Sequence, residues 1–477
     1  MNLFSIRFLP FWIFTVALMV VLTVPSLVQD GMFTDAVLYT SVSRNLANGL
    51  GSFWFPYFDP YNIIGLASFH EQPPLAFGIQ ALFFKFFGDH FFVERLYTFF
   101  TMCITAILIY ILWKEIFKKN IEYKPLAWLP VLLWITIPVC FWSYSNNMHE
   151  NTMGIFILLS VIVMYKSLKS EKLLFFNWVL AGLLICMAAL SKGFPGFFSL
   201  CFPFLYWAIT KVSSFKKMTL QTTILLSTVL LVGFVLYLYP PSRESLSIYL
   251  FKRAFARIGS AHTVDSRFFI LFRLFSELIP QMCFTALFFF IAKIKKIEHF
   301  LSGFNKTTVL FFALGICGSL PLMLTKVQNG FYFVPSLPYF GIAFAGMNAP
   351  VISNLIQNII NEQKVIKKLI IAGLVVFAGV IVFAFTKIGH TVRDKDKLHD
   401  IHLIGNNIPA FSSSGCDKSI YEDWAVGCYF VRYYNISLNM NDTSKYYLAN
   451  KGAPLDLSYP VKKIELPLNV YDLYFRE

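Results

Sequence analysis

The chain has 477 residues, of which 57% are hydrophobic and only 14% charged, with a mean hydropathy of +0.62. Soluble globular chains carry about a quarter charged residues, so this depletion excludes an ordinary soluble protein. A net charge of +14 would suit nucleic acid, but the Lys residues sit in short loops between apolar runs, where they set membrane orientation, and that partner is excluded as well.

Apolar runs of roughly 20 residues, the length that crosses a hydrocarbon core, recur from end to end. The first covers about residues 8–28, after Arg7. It is too long for a secretory signal and lacks a small-residue cleavage site, so it reads as an anchor. Residues 29–93 form an unusually long loop. Within it a helix is expected over 35–47, stopped by Asn48 and Gly49. SFWFPYFDPYN (52–62) and HEQPPL (70–75) follow, then AFGIQALFFKFFG (76–88), which is too short to span and is expected to lie along the interface.

Further spans are expected near 94–113, 126–142, 150–166, 173–190, 194–210, 219–239, 268–292, 307–324, 331–348 and 368–388. Alternate junctions are basic: KEIFKKNIEYK (114–124), KSLKSEK (166–172), KVSSFKK (211–217), KIKKIEH (293–299) and KVIKK (364–368). With these in the cytoplasm, the N-terminus is inside and residues 389–477 are outside. The expected architecture is an all-α polytopic membrane protein of about 11 spans, with a range of 9–13 (residues 1–388). A small α+β extracytoplasmic domain (389–477) follows it.

One outer loop breaks the charge rule. Residues 240–267, PPSRESLSIYLFKRAFARIGSAHTVDSR, carry Arg243, Lys252, Arg253, Arg257 and Arg267. Guanidinium forks match phosphate oxygens. For any one of these residues, headgroup snorkelling is an equal reading; the cluster as a whole points to phosphate. Six of the eight cysteines lie in apolar spans, where Cys behaves as a small hydrophobe. Cys416 and Cys428, in the tail, are either a disulfide or two free thiols, since spacing does not give geometry. No fixed-period repeat is visible, so neither a solenoid nor an inverted-repeat transporter is supported.

The ionisable residues gather at one expected membrane face: Asp35, with Tyr39 four residues on and therefore on the same helix face, His70 and Glu71, Arg95, Asn147, His149 and Glu150, Lys192, and the basic loop. An acid after a span is most often merely solvated, and His70 and His149 read first as polar helix-end residues. A converging set at one face is nonetheless a functional-site hypothesis.

These segments resemble motifs of the GT-C membrane glycosyltransferases, in the branch of protein O-mannosyltransferases and lipid A aminoarabinose transferases, over about residues 10–350. TDAVLYTSVSRNLANG (34–49) resembles the family's acidic Asp-Glu-x-x-Tyr helix through Asp35 and Tyr39. HEQPPL and FFGDHFFVERL (86–96) resemble its Lys-Pro-Pro-Leu segment and the later Phe-Gly…Arg-Leu with Arg95. NNMHENTMGIFILL (146–159) resembles the second acidic motif, with Glu150 where Asp is usual. ALSKGFPG (189–196) resembles Thr-Lys-Gly-Pro through Lys192, and GFYFVPSLPYF (330–340) the Tyr-x-x-Pro-x-x-Pro span. Two departures stand out: Gln72 replaces the Lys that contacts the lipid phosphate, and Ala36 replaces the second acid.

The resemblance implies a polyprenyl-phosphate sugar as donor and an acceptor lipid, glycan or protein. It implies inverting transfer at the periplasmic face of an inner membrane. Asp35 and Glu150 are the catalytic candidates, and Lys192, Arg95, Arg253 and Arg257 the donor-phosphate ligands. Tyr39, His70, Glu71 and His149 are substrate contacts. No cofactor is required; a divalent cation between Asp35 and Glu150 is an option that two carboxylates allow only with further oxygen ligands. Two other functions compete. A flippase of lipid-linked sugars would carry midplane charges and broken helices. A lipid-linked glycan ligase or polymerase would depend on the basic loop and a later His such as His262, and would tolerate loss of Asp35.

Overall fold

The computed structural model describes residues 6–59, 68–170, 172–259, 263–360, 362–440, 444–455, 457 and 459–476; His262 and the side chain of Arg257 lie outside the described residues. The chain divides into two compact units. One comprises Met1–Pro25, Phe99–Ser145 and His149–Thr386; the other comprises Ser26–Thr98, Asn146–Met148 and Lys387–Glu477. The unit that holds the tail thus also takes in the long first loop.

The first unit is helical, as a chain in hydrocarbon must be to satisfy its own amides and carbonyls. Among the described residues, eight helices are long and apolar enough to cross a membrane, and ten spans result if two bent pairs each count as one. The pairs are Lys124–Ile135 with Pro138–Tyr144, bent by 85°, and Phe269–Glu277 with Ile279–Ile294, bent by 47°. The protein is therefore a multi-pass membrane protein.

The expected span at 194–210 differs. It is a 3₁₀ stretch, Phe194–Cys201, followed by a short helix, Phe202–Thr210. Pro195 and Pro203, each near the start of its segment, have no amide to continue a helical ladder, and the run breaks there. Burial sorts the rest: the apolar windows of Gly330–Gln357 and His149–Leu168 are 78% and 72% buried, those of Glu362–Phe385 and Phe215–Leu238 only 11% and 17%. The first two form the interior of the unit, where Tyr165 meets Phe311 and Phe311 stacks on Tyr339. The latter two turn their apolar surface outward to lipid.

The second unit is built on Thr34–Ala47 and Leu75–Phe87, which pack together, and on the tail. Thr34–Ala47 ends at Asn48, whose amide closes the last turn onto Arg44 and Asn45. The tail's strands are β1 (Ser413–Cys416), β2 (Ser437–Asn439), β3 (Tyr446–Asn450), β4 (Val461–Ile464) and β5 (Tyr471–Arg476). They form one mixed sheet in the order β2-β1-β3-β5-β4, parallel on both sides of β1 and antiparallel around β5. Helices Lys395–Gly405 and Trp424–Tyr434 pack on each other, and the second also packs on Thr34–Ala47. Asp400 ties the first to the sheet by accepting the amides of Asn469, Val470 and Tyr471 at 2.7, 2.7 and 3.0 Å. Cys416 and Cys428 are both buried free thiols, and the Cys416 thiol donates to the Asn439 carbonyl at 3.4 Å.

Candidate active site

In the first unit, His149–Leu168 and Phe175–Lys192 are consecutive helices joined by a short turn, so the start of one returns beside the end of the other. Glu150 occupies the first turn of the former and Lys192 is the last residue of the latter. Each charge opposes the partial charge of its own helix end. The two meet: Lys192 Nζ lies 3.3 Å from Glu150 Oε1, with the side chains 6% and 1% exposed. His149, beside Glu150, is fully buried. Arg253 is half-buried and Lys252 exposed, both in the last turn of a π-helical stretch, Ile248–Ala254. Arg243 and Arg267 are exposed.

In the second unit, Asp35 lies in the first turn of Thr34–Ala47, half-buried, and Tyr39 one turn on is buried. Two asparagines hold this helix. Asn146 accepts the amide of Phe33, the residue before the helix, at 2.9 Å, and Asn147 donates to Thr40 Oγ1 at 2.9 Å. Gln72 donates to the Tyr39 hydroxyl at 3.5 Å, so the residue that replaces the expected lysine faces the second member of the acidic-helix motif. Buried His70 lies against Ser68 Oγ at 2.5 Å and edge-on to the ring of Phe55; Glu71 is half-buried.

Arg95, expected to hold phosphate, lies among acids and carbonyls. Its guanidinium contacts Glu94 at 2.9 Å, the carbonyls of Phe91 and Gln29 at 2.5 and 3.3 Å, and Asp30 at 3.6 Å. Asp30 in turn is surrounded. It accepts from the Gly31 amide and the Tyr433 hydroxyl, each at 2.7 Å, and its other oxygen meets His402 Nε2 at 2.7 Å. Burial alone would raise its carboxyl, but the bonds to His402, Tyr433 and Gly31 and the charge of Arg95 outweigh it and hold Asp30 at about 2. Alongside, Arg432 pairs with Glu94 at 2.9 Å and Asp89 at 2.9 Å, and Arg44 donates to the carbonyls of Val431 and Arg432, each at 2.8 Å.

The structure thus brings Glu150 to Lys192 in one unit and Tyr39 to Gln72 in the other. The roles of Asn146, His402, Tyr433 and Arg432 were not read from the sequence. Only Asn146, the first residue of the segment that resembles the second acidic motif (146–159), carried a local signal. Among the described residues, no three His, Cys, Asp or Glu side chains gather as a metal site.

Residues 71–238, about a third of the chain, match the family model described as dolichyl-phosphate-mannose-protein mannosyltransferase. The whole chain superimposes on ArnT from Cupriavidus metallidurans bound to undecaprenyl phosphate, with a TM-score of 0.65 over 97% of both chains at 11% identity. The apo form of the same protein gives 0.64 over 96% of this chain and 95% of that one, at 10% identity. The chain has the GT-C fold. The resemblance drawn from five short motifs is borne out at the level of fold. The model match also covers four of the GT-C-like stretches singled out in the sequence, from Glu71 and Arg95 through Glu150 to Lys192. Among curated proteins, none matches the sequence.

Proposed function

We propose that the chain is an inverting membrane glycosyltransferase. It takes a sugar from a polyprenyl-phosphate donor and passes it to a lipid, glycan or protein acceptor at the periplasmic face of an inner membrane. The observation that carries this reading is the buried Glu150–Lys192 pair, which sits within the stretch matched by a mannosyltransferase family model.

In this reading the acceptor hydroxyl oxygen attacks the anomeric carbon from the face opposite the phosphate. The carbon–oxygen bond to phosphate breaks, and the lipid phosphate leaves with the electron pair as a stable anion. Asp35 takes the hydroxyl proton as general base. Cations that favour the developing phosphate charge do what a general acid would otherwise do. That work falls to Lys192, Arg253 and Arg257, while Glu150 orients the Lys192 ammonium. Arg95 is assigned to holding Asp30 rather than to phosphate. Tyr39, His70, Glu71 and His149 are proposed to contact the substrates.

The test is transfer from radiolabelled membrane polyprenyl-phosphate sugars in vesicles, comparing the wild type with Asp35→Asn at matched expression. Near-complete loss with donor still bound supports Asp35 in the chemical step. Undiminished transfer removes it as base and points to an acceptor that needs none, such as a phosphate. Absence of transfer by the wild type from every such donor would overturn the reading in favour of a flippase.

A further inference from the structure

The π-helical stretch Ile248–Ala254 is seated on the turn that follows Lys192. Gly193 has φ of 92°, a left-handed conformation that L side chains avoid. The hydroxyl of Tyr249 occupies the space where a side chain at 193 would begin: a Cβ there would overlap the Tyr249 Oη and ring. Tyr249 is 8% exposed although its neighbours in the stretch are half-buried or exposed. A second contact lies beside the first, with the rings of Phe194 and Phe255 5.6 Å apart. Gly193 and Phe194 on one side and Tyr249 and Phe255 on the other therefore form a fitted joint.

The joint has a chemical sense. Lys192 immediately precedes Gly193. Arg253 stands four residues after Tyr249, close to one helical turn, so both side chains leave the stretch on the same side. A π-helical turn is an uncommon geometry concentrated at functional sites. Tyr249 thus seats the basic stretch on the turn that follows Lys192.

We propose that Tyr249 is a positioning residue of the donor-phosphate site, docking the basic stretch on the 192–193 turn so that Arg253 and Lys192 act on one phosphate anion. This rests on the reading of Lys192 and Arg253 as phosphate ligands, and it requires glycine at 193.

The experiment measures binding of a polyprenyl phosphate, without sugar, to the detergent-solubilised full chain at several salt concentrations, along with donor KM and kcat. The variants are Tyr249→Ala, Tyr249→Phe, Gly193→Ala, Arg253→Ala and the double change Tyr249→Ala with Arg253→Ala. Tyr249→Ala is expected to weaken binding about tenfold. Its salt dependence should become shallower, as in Arg253→Ala, with the loss in donor KM more than in kcat. The double variant should bind no more weakly than Arg253→Ala alone, because Tyr249 acts through Arg253. Tyr249→Phe, which keeps the ring, should restore most of the affinity, and Gly193→Ala should reproduce Tyr249→Ala. If Tyr249→Ala fails to fold, Tyr249→Phe and Gly193→Ala carry the test. Additive losses in the double variant, or wild-type affinity in Gly193→Ala, would overturn the inference and leave the glycosyltransferase reading standing. A wild type that binds no polyprenyl phosphate would overturn both.

Discussion

The ammonium of Lys192 lies 3.3 Å from Oε1 of Glu150, with both side chains almost wholly buried. Removing one member strands the other charge, which costs about 3–5 kcal/mol, whereas replacing both by neutral groups is far milder. Lys192→Met should therefore lower the melting temperature in detergent markedly. Combined with Glu150→Gln, most of the stability should return while transfer stays abolished. A double variant no more stable than the single one would show that the pair is not coupled.

Asp30 gives a pH prediction. Its carboxyl is held at about 2 in the folded chain against about 3.9 for a free side chain. A depressed carboxylate stabilises above its unfolded pKa, and the contribution is lost as pH falls towards its folded one. The shift corresponds to about 2.5 kcal/mol, discounted to about 2 kcal/mol because a quarter of the side chain is exposed. Asp30→Asn should speed hydrogen exchange in the 30–33 and 390–393 segments at pH 7. Corrected for intrinsic rates, the difference from the wild type should close between about pH 4 and 2. A difference that persists unchanged at pH 2 would count against this account.

Gly31 is the hinge of the same contact. Its φ is 84°, and a Cβ would come within 2.6 Å of the Arg393 carbonyl oxygen. Gly31→Ala combines a left-handed backbone with a clash against main chain, so a loss of at least about 1–2 kcal/mol is expected. Limited proteolysis should then cut near residues 390–393 sooner than in the wild type. Equal cutting would mean the strand-like bridge between Asp30 and Thr391 contributes little.

The tail thiols should be silent. Cys416 is pushed up to about 12 by burial and the neighbouring Asp417, and Cys428 is raised by burial and by Asp35 and Asp423. Thiolate is the reactive form. Neither thiol should label with a maleimide until the chain is denatured, and Cys416→Ser or Cys428→Ser should not change mobility on a non-reducing gel. Rapid native labelling of either would contradict this burial.

The spans and the acidic helix were legible because their signals are local. A 20-residue apolar run has one outcome in lipid, and the helix expected over 35–47 with its stop at Asn48 is observed as Thr34–Ala47. The segment at 76–88 likewise forms a helix too short to span, Leu75–Phe87. The break at 194–210 was also in the sequence, in Pro195 and Pro203, but hydropathy averages over it. The fate of Asp30 and Arg95 was not legible. Their partners His402, Tyr433 and, through Glu94, Arg432 lie more than 300 residues away, and no periodicity links such positions.

That separation has a consequence for how the chain is made. Arg44, Asp30 and Glu94 leave the ribosome more than 300 residues ahead of the helix Trp424–Tyr434 that bonds to them. Contacts so distant in sequence form late and expose their halves meanwhile. Until the tail is made, Asp30 and Glu94 have Arg95 but lack the partners that the tail supplies. A nascent chain arrested short of Arg432 would hold Glu94 through Arg95 but lack the second guanidinium, so an unfinished copy differs from a completed one in the charge balance around Glu94.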